Sequence, residues 1–405
     1  MLATNRFLGS TLLIAGTAIG AGMLALPVLT GESGFFSASL LMALVWLFNL
    51  YVAFIILEAT LRLPTQSNLI SIIGLSLGKG GQTITWISCI IFLYALLVTY
   101  LSGLSELLLH TLDGVWGVQL PAWSSPLILT VLFSAMLYLG TSAVDYTNRL
   151  FAIGFLITFI GLVISILPQA DLKVLAESQG TNPIHQLPWY AATVVFGSFA
   201  YMIVIPSVRD YLQSDVKKIK CAIFVGSIAP LILYLVWVGL ILAVVPADGE
   251  ASLRDLSTHG DAGTALTDAL HTITNNELLV WCIRGFAFFA MATSFIGVAL
   301  GLHDLLSDGL NLNQTRYKNS IATLLTILPP FVFTFNFRQL FLNALILASE
   351  FAVLLHVILP TLAVWIARRQ NLTTSPYVVR GGYAGLGIVL LAGVVLVVMD
   401  VRHWF

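Results

Sequence analysis

Charge is what this 405-residue chain lacks most. Asp, Glu, Lys and Arg make up only 9% of it, against roughly 25% in soluble domains. So few charges cannot cover a soluble fold, and 58% hydrophobic residues with a mean hydropathy of +0.96 exceed what one soluble core can use. The composition reads as an all-α membrane protein with many spans. A basic excess is absent too: the net charge of −1 offers no patch for nucleic acid. Cysteine is scarce. Cys89, Cys221 and Cys282 all lie in apolar runs and form no C-x-x-C pair, which argues against a disulfide framework or a metal site. No long polar domain or low-complexity tract breaks the apolar pattern, so an attached ATPase motor is excluded. No nucleophile–base set and no ring of repeated filter residues is visible, which disfavours an enzyme and a channel. No cofactor and no obligate protein partner is implied; the partners are the lipid bilayer and a small molecule.

Apolar runs of membrane-spanning length fall at 7–30, 35–61, 83–109, 125–141, 147–168, 189–211, 221–246, 279–307, 319–336, 340–366 and 383–401. Most approach or exceed the roughly 20 residues needed to cross a bilayer. This predicts eleven spans in a single transmembrane domain over 1–405. The first run follows Arg6 but continues through Pro27 with no convincing cleavage site, so it reads as a retained helix. With the N-terminus cytoplasmic, 13 of the 18 Lys and Arg residues fall in cytoplasmic segments. That bias sets the orientation, and an odd number of spans puts the C-terminus outside.

The first span carries Gly16-Thr17-Ala18-Ile19-Gly20-Ala21-Gly22-Met23-Leu24-Ala25-Leu26-Pro27. Glycine costs a helix about 1 kcal/mol and proline about 3 relative to alanine. In lipid an opened helix survives only where it is buried in protein or lines a polar cavity. The sixth span repeats the pattern, from Phe196-Gly197-Ser198-Phe199-Ala200-Tyr201 to Pro206. Each of these spans is the first of a set of five. Interrupted helices at matching positions point to a transporter of two inverted repeats, about 7–168 and 189–366, with an extra helix at 383–401 and a site at the midplane.

A broken helix offers amino acid partners without charged side chains. N–H groups of Gly20, Ala21 and Gly22 suit a carboxylate. Carbonyls of Ala15, Gly16 and Thr17, with counterparts near Phe196 and Gly197, suit an ammonium. Tyr94, Tyr100, Phe199 and Tyr201 are aromatic candidates for the substrate side chain; each alone reads more readily as packing, with the better case for Tyr94 and Tyr100, whose hydroxyls need partners in a non-polar interior. Thr293 and Ser294 in the eighth span offer hydroxyls to a sodium ion, or simply bond within and between helices. Glu350, in mid-span, is a candidate for exchanging a driving proton or pairing with Arg284. His356 lies six residues on and does not share its face. Glu58, near one end of the second span, reads as reaching headgroups or loop partners.

Gly16–Pro27 resembles the opening signature of the bacterial hydroxy/aromatic amino acid permeases. Tyr94-Ala95-Leu96 with Tyr100, Ser102-Gly103 and Glu106-Leu107-Leu108 is similar to the third helix of that family, and Ala292–Leu302 to its eighth. The resemblance runs from Leu8 to about Arg380. It implies the leucine-transporter-type fold with discontinuous helices 1 and 6. It also implies uptake of an aromatic amino acid, tyrosine above all, by proton symport across a bacterial inner membrane. The chain has Tyr201-Met202 where the family usually carries a histidine after the sixth-helix break. It also has no lysine in 147–168, where some proton-coupled relatives of the fold place one, so sodium coupling stays open. Alternatives are a broader neutral amino acid permease, for tryptophan or serine, and a sensor that binds an amino acid without moving it.

Overall fold

The computed structural model describes residues 2–20, 22–64, 69–170, 175, 189–245, 266, 269–270, 276–310, 312, 317–337, 340–372 and 374–401. Every regular element among them is helical. The first span is broken as its glycines require: α1 (Leu2–Ala18) and α2 (Gly22–Thr30) meet at 54°. After a 3-10 turn come α3 (Gly34–Leu61), α4 (Leu69–Trp116), α5 (Ser124–Tyr138) and α6 (Thr141–Ile166). The sixth span is also broken, into α7 (Trp189–Ser198), a 3-10 turn at Met202–Val204, and α8 (Ile205–Tyr211). There follow α9 (Val216–Leu242), α10 (Glu277–Gly309), α11 (Lys318–Asn336), α12 (Phe341–Val353), α13 (Leu359–Arg369) and α14 (Gly382–Val401).

Nine stretches of the described residues are long and apolar enough to cross a membrane, with α7–α8 and α12–α13 each forming one. The bent pair α1–α2 makes a tenth. The expected run at 125–141 is helical, but α5 has only 15 residues, about 22 Å at 1.5 Å per residue. It is cut off by Gly140, whose φ of +94° ends the helix. The third span starts earlier than its apolar run suggests. α4 contains a kink at Gly78 (φ +68°), so 69–77 is a separate helical leg leading into the span. Most of the long 247–278 segment lies outside the described residues.

Prolines shape the interior. Pro360 has no N–H, and just before it Leu354–Ile358 widens into a π turn in which the Leu359 N–H bonds the Leu354 carbonyl. Pro27 and Pro329 each deprive the carbonyl four residues earlier of its helical partner. Both orphaned carbonyls are taken up from another helix. Trp237 Nε1 donates to Met23 at 2.9 Å, and the Tyr94 hydroxyl donates to Leu325 at 2.6 Å.

Without a hydrophobic drive in lipid, helices associate by close packing of small residues. Gly154 and Gly161 on α6 and Gly285 on α10 let these helices touch. A Cβ there would come 2.6 Å from Phe289, 2.8 Å from the Cys282 Sγ and 2.7 Å from Thr158, respectively. α10 also packs on α4, α12 on α4 and α7, and α1 on α9.

One end of the bundle is held by arginines. Glu58 is fully buried; it accepts from Arg62 Nη2 and Arg368 Nε, both at 2.8 Å, from Arg368 Nη2, and from the Val379 N–H at 2.8 Å. It reaches loop partners, the second of the two roles expected of it, and it does so while buried. Arg209, also buried, donates to the carbonyls of Thr60, Leu63 and Pro64 at the end of α3. The Thr60 carbonyl belongs to the negative end of the α3 dipole and the other two follow it in the turn that leaves the helix, an acceptor cluster that a guanidinium fork suits. The Tyr51 hydroxyl donates to the Arg380 carbonyl at 2.6 Å, and the Ser375 hydroxyl lies 3.4 Å from the Glu58 carbonyl. The segment between α13 and α14 is thus strapped across α3.

Candidate functional site

The two breaks meet. Gly22, at the start of α2, abuts Ser198, at the end of α7. A Cβ on Gly22 would lie 2.2 Å from the Ser198 Oγ, 3.0 Å from its Cβ and 3.2 Å from its Cα. Only glycine permits that approach. On the other side of α7, a Cβ on Gly197 would lie 2.5 Å from the Ser349 Oγ on α12.

The free backbone groups can be counted. In the second break, the carbonyls of Phe196 and Gly197 accept from the N–H groups of Phe199 and Ala200, and the Phe199 carbonyl from Tyr201. That turn satisfies itself, so these carbonyls are less available than the sequence suggests. In the first break the Ala15 carbonyl accepts a long bond from Ile19 (3.4 Å), and that of Gly20 accepts from Met23 (3.1 Å). No hydrogen bond among the described residues reaches the carbonyls of Gly16 and Thr17, and both residues are exposed. Ala21 lies outside the described residues. Buried Gly22 opens α2, where N–H groups without helical partners gather.

Around the break the structure assembles hydroxyls from three further helices. A Cβ on Gly20 would lie 3.4 Å from both the Tyr100 hydroxyl of α4 and the Ser294 Oγ of α10, and those two hydroxyls face each other. The Tyr234 hydroxyl of α9 lies 2.7 Å from the Ala18 carbonyl and 2.8 Å from the Ser198 carbonyl. Phe199 packs edge-on against the Tyr234 ring, with centroids 5.1 Å apart.

The remaining candidates are placed differently. Tyr94 is not drawn into the break, since its hydroxyl is engaged with Leu325. Tyr201 is fully buried and faces Ser227 of α9; its hydroxyl has no hydrogen-bond partner among the described residues. Phe196 is buried against Phe48. Thr293 turns its hydroxyl back onto its own helix, 2.8 Å from the Phe289 carbonyl. Glu350 is buried on α12 next to Ser349, and the Arg284 guanidinium lies against Gly114 of α4. Sequence reasoning missed Tyr234 and Trp237. Their signal was available: two aromatics with polar tips three residues apart in an apolar span need acceptors, and Pro27 had left a carbonyl waiting.

Comparisons with known proteins place the chain as a whole in a family. The model of the tryptophan/tyrosine permease family matches residues 3–400. The chain belongs to that family. Among curated members, the tyrosine-specific transport system 1 of Haemophilus influenzae is 33% identical over 97% of this chain and 96% of its own. The tryptophan-specific transport protein of the same organism is 31% identical over 98% and 97%. Glutamine transporter 2 of Aliivibrio fischeri is 28% identical over 98% and 99%. As a member of this permease family the chain is a multi-pass membrane protein. In this permease the paired breaks, ringed by Tyr100, Ser294 and Tyr234, form the candidate site.

Proposed function

We propose that this permease is a secondary active transporter importing an aromatic amino acid, with tyrosine the first candidate and tryptophan the second, by proton symport across a bacterial inner membrane. The protein has eleven spans, its N-terminus is cytoplasmic and its C-terminus external, and two inverted five-helix repeats rock between outward- and inward-open states around the paired breaks. What supports this reading is the contact of the two breaks, with the carbonyls of Gly16 and Thr17, which no hydrogen bond reaches among the described residues, on one side and the start of α2 on the other. The substrate ammonium goes to those carbonyls. Its carboxylate goes to the N–H groups of Gly20, Ala21 and Gly22, and its ring packs toward Tyr100. Glu350 is the group that takes up and releases the proton.

Two observations support second readings. Ser294 facing Gly20 offers a hard oxygen to sodium beside the open carbonyls, which favours sodium coupling. A glutamine transporter among the relatives favours a wider range of neutral amino acids. Counterflow of labelled tyrosine and tryptophan in proteoliposomes tests the main reading, with the other amino acids as competitors. Imposed proton and sodium gradients then identify the ion. Saturable binding with no exchange under any gradient would leave only a sensor and overturn the transporter reading.

A further inference from the structure

We propose that Tyr234 is the positioning residue that ties the two broken helices together, one hydroxyl proton serving the carbonyl ends of both. The inference rests on the transporter reading and goes beyond it by naming the device that sets the geometry of the site. α1 ends at Ala18 and α7 at Ser198, and each end carries the negative pole of a helix dipole. Two such ends brought to one point repel unless a positive partner sits between them. The Tyr234 hydroxyl supplies that partner, 2.7 Å from one carbonyl and 2.8 Å from the other.

A phenol carries a single proton. It bonds one carbonyl fully at a time, or shares itself between the two. In either case the bond can pass from Ala18 to Ser198 as the helix ends shift, without leaving the pair bare. The same helix holds the far side of the first break, because Trp237, three residues on, donates to Met23 of α2. α9 is therefore a splint with one donor for each half of the first broken helix and a share in the second. The splint is rigid at this point: Tyr234 and Trp237 are both fully buried, the first against Phe199 and the second against Phe286.

Tyr234→Phe tests this, since it keeps the ring and removes only the proton. The readout is counterflow per folded transporter, for whichever amino acid the wild type exchanges, with the folded fraction counted by size-exclusion chromatography. The expected result is about a tenfold drop, the scale of one buried hydrogen bond. Incorporation of p-aminophenylalanine at 234, which restores an N–H donor on the same ring, is expected to return exchange to within about twofold of wild type. Tyr51→Phe removes a more exposed hydroxyl–carbonyl bond at the strap and controls for the loss of a tyrosine hydroxyl away from the breaks; it is expected to leave exchange within about twofold. Wild-type rates in the Phe variant, or equal losses in the Phe and aminophenylalanine variants, would overturn the inference. A wild type that exchanges no amino acid would overturn the transporter reading, and the two failures are distinct.

Discussion

Substituting Gly22 by alanine should push the two breaks apart. The new methyl would start 2.2 Å from the Ser198 Oγ, 3.0 Å from its Cβ and 3.2 Å from its Cα. The hydroxyl can rotate away, but it then leaves its 2.9 Å bond to the Val194 carbonyl, at a cost of about 1 kcal/mol. The Cβ and the backbone cannot rotate. Restoring ordinary carbon contacts near 3.5 Å or more requires α2 and α7 to part by roughly 0.5 Å. Overpacking of this kind costs about 1–3 kcal/mol, so the total is about 2–4 kcal/mol. Thermal melting in nanodiscs of Gly22→Ala, Ser198→Gly and the double variant forms a cycle. Ser198→Gly removes the Oγ and Cβ that the methyl meets, so the double variant should regain about 1–2 kcal/mol relative to additivity. Strictly additive effects, or a Gly22→Ala variant as stable as wild type, would refute the close contact.

Two further expectations concern the arginine-rich end and the entry to α9. Glu58→Gln strips the counter-charge from Arg368 and Arg62 in a buried setting, which should lower stability by about 3 kcal/mol. Adding Arg368→Gln should cost less than the sum of the singles, as read by the same melts. Asp215 caps α9 by accepting from the N–H groups of Lys217 and Lys218, and its bond to Lys218 holds its carboxyl below the usual carboxylate range. A depressed carboxyl stabilises the fold above its unfolded pKa, near 4, and loses that contribution as pH falls through the folded value. Asp215→Asn keeps the cap acceptor without the charge. It should melt below wild type at neutral pH, and the two should converge in acid; a gap independent of pH would rule out the charge.

The breaks were legible because they are backbone events. Gly16–Pro27 and Phe196–Pro206 announce themselves by composition, and the structure breaks both, at Ala18–Gly22 and Ser198–Met202. The partners of those breaks were less legible because they are settled by packing. Tyr94 and Tyr100 lie on the same helix and look alike in the sequence, yet one hydroxyl serves Leu325 of α11 while the other faces Ser294. Nothing local distinguishes them, since the choice depends on which neighbour lacks a donor. Glu58 shows the same limit. Its burial follows from Arg368, 310 residues away in sequence, and no periodicity within α3 encodes that distance.

Trp237 on Met23 and Tyr94 on Leu325 are both consequences of a missing amide hydrogen. A helix that satisfied all of its own carbonyls would present a smooth, self-contained cylinder, free to slide along its neighbours in lipid. Pro27 and Pro329 each instead open one socket on the cylinder wall, and an aromatic plug from the adjacent helix fixes both the height and the rotation at which the two can meet. In this protein proline acts less as a helix breaker than as an address, recording in one helix where another must stop.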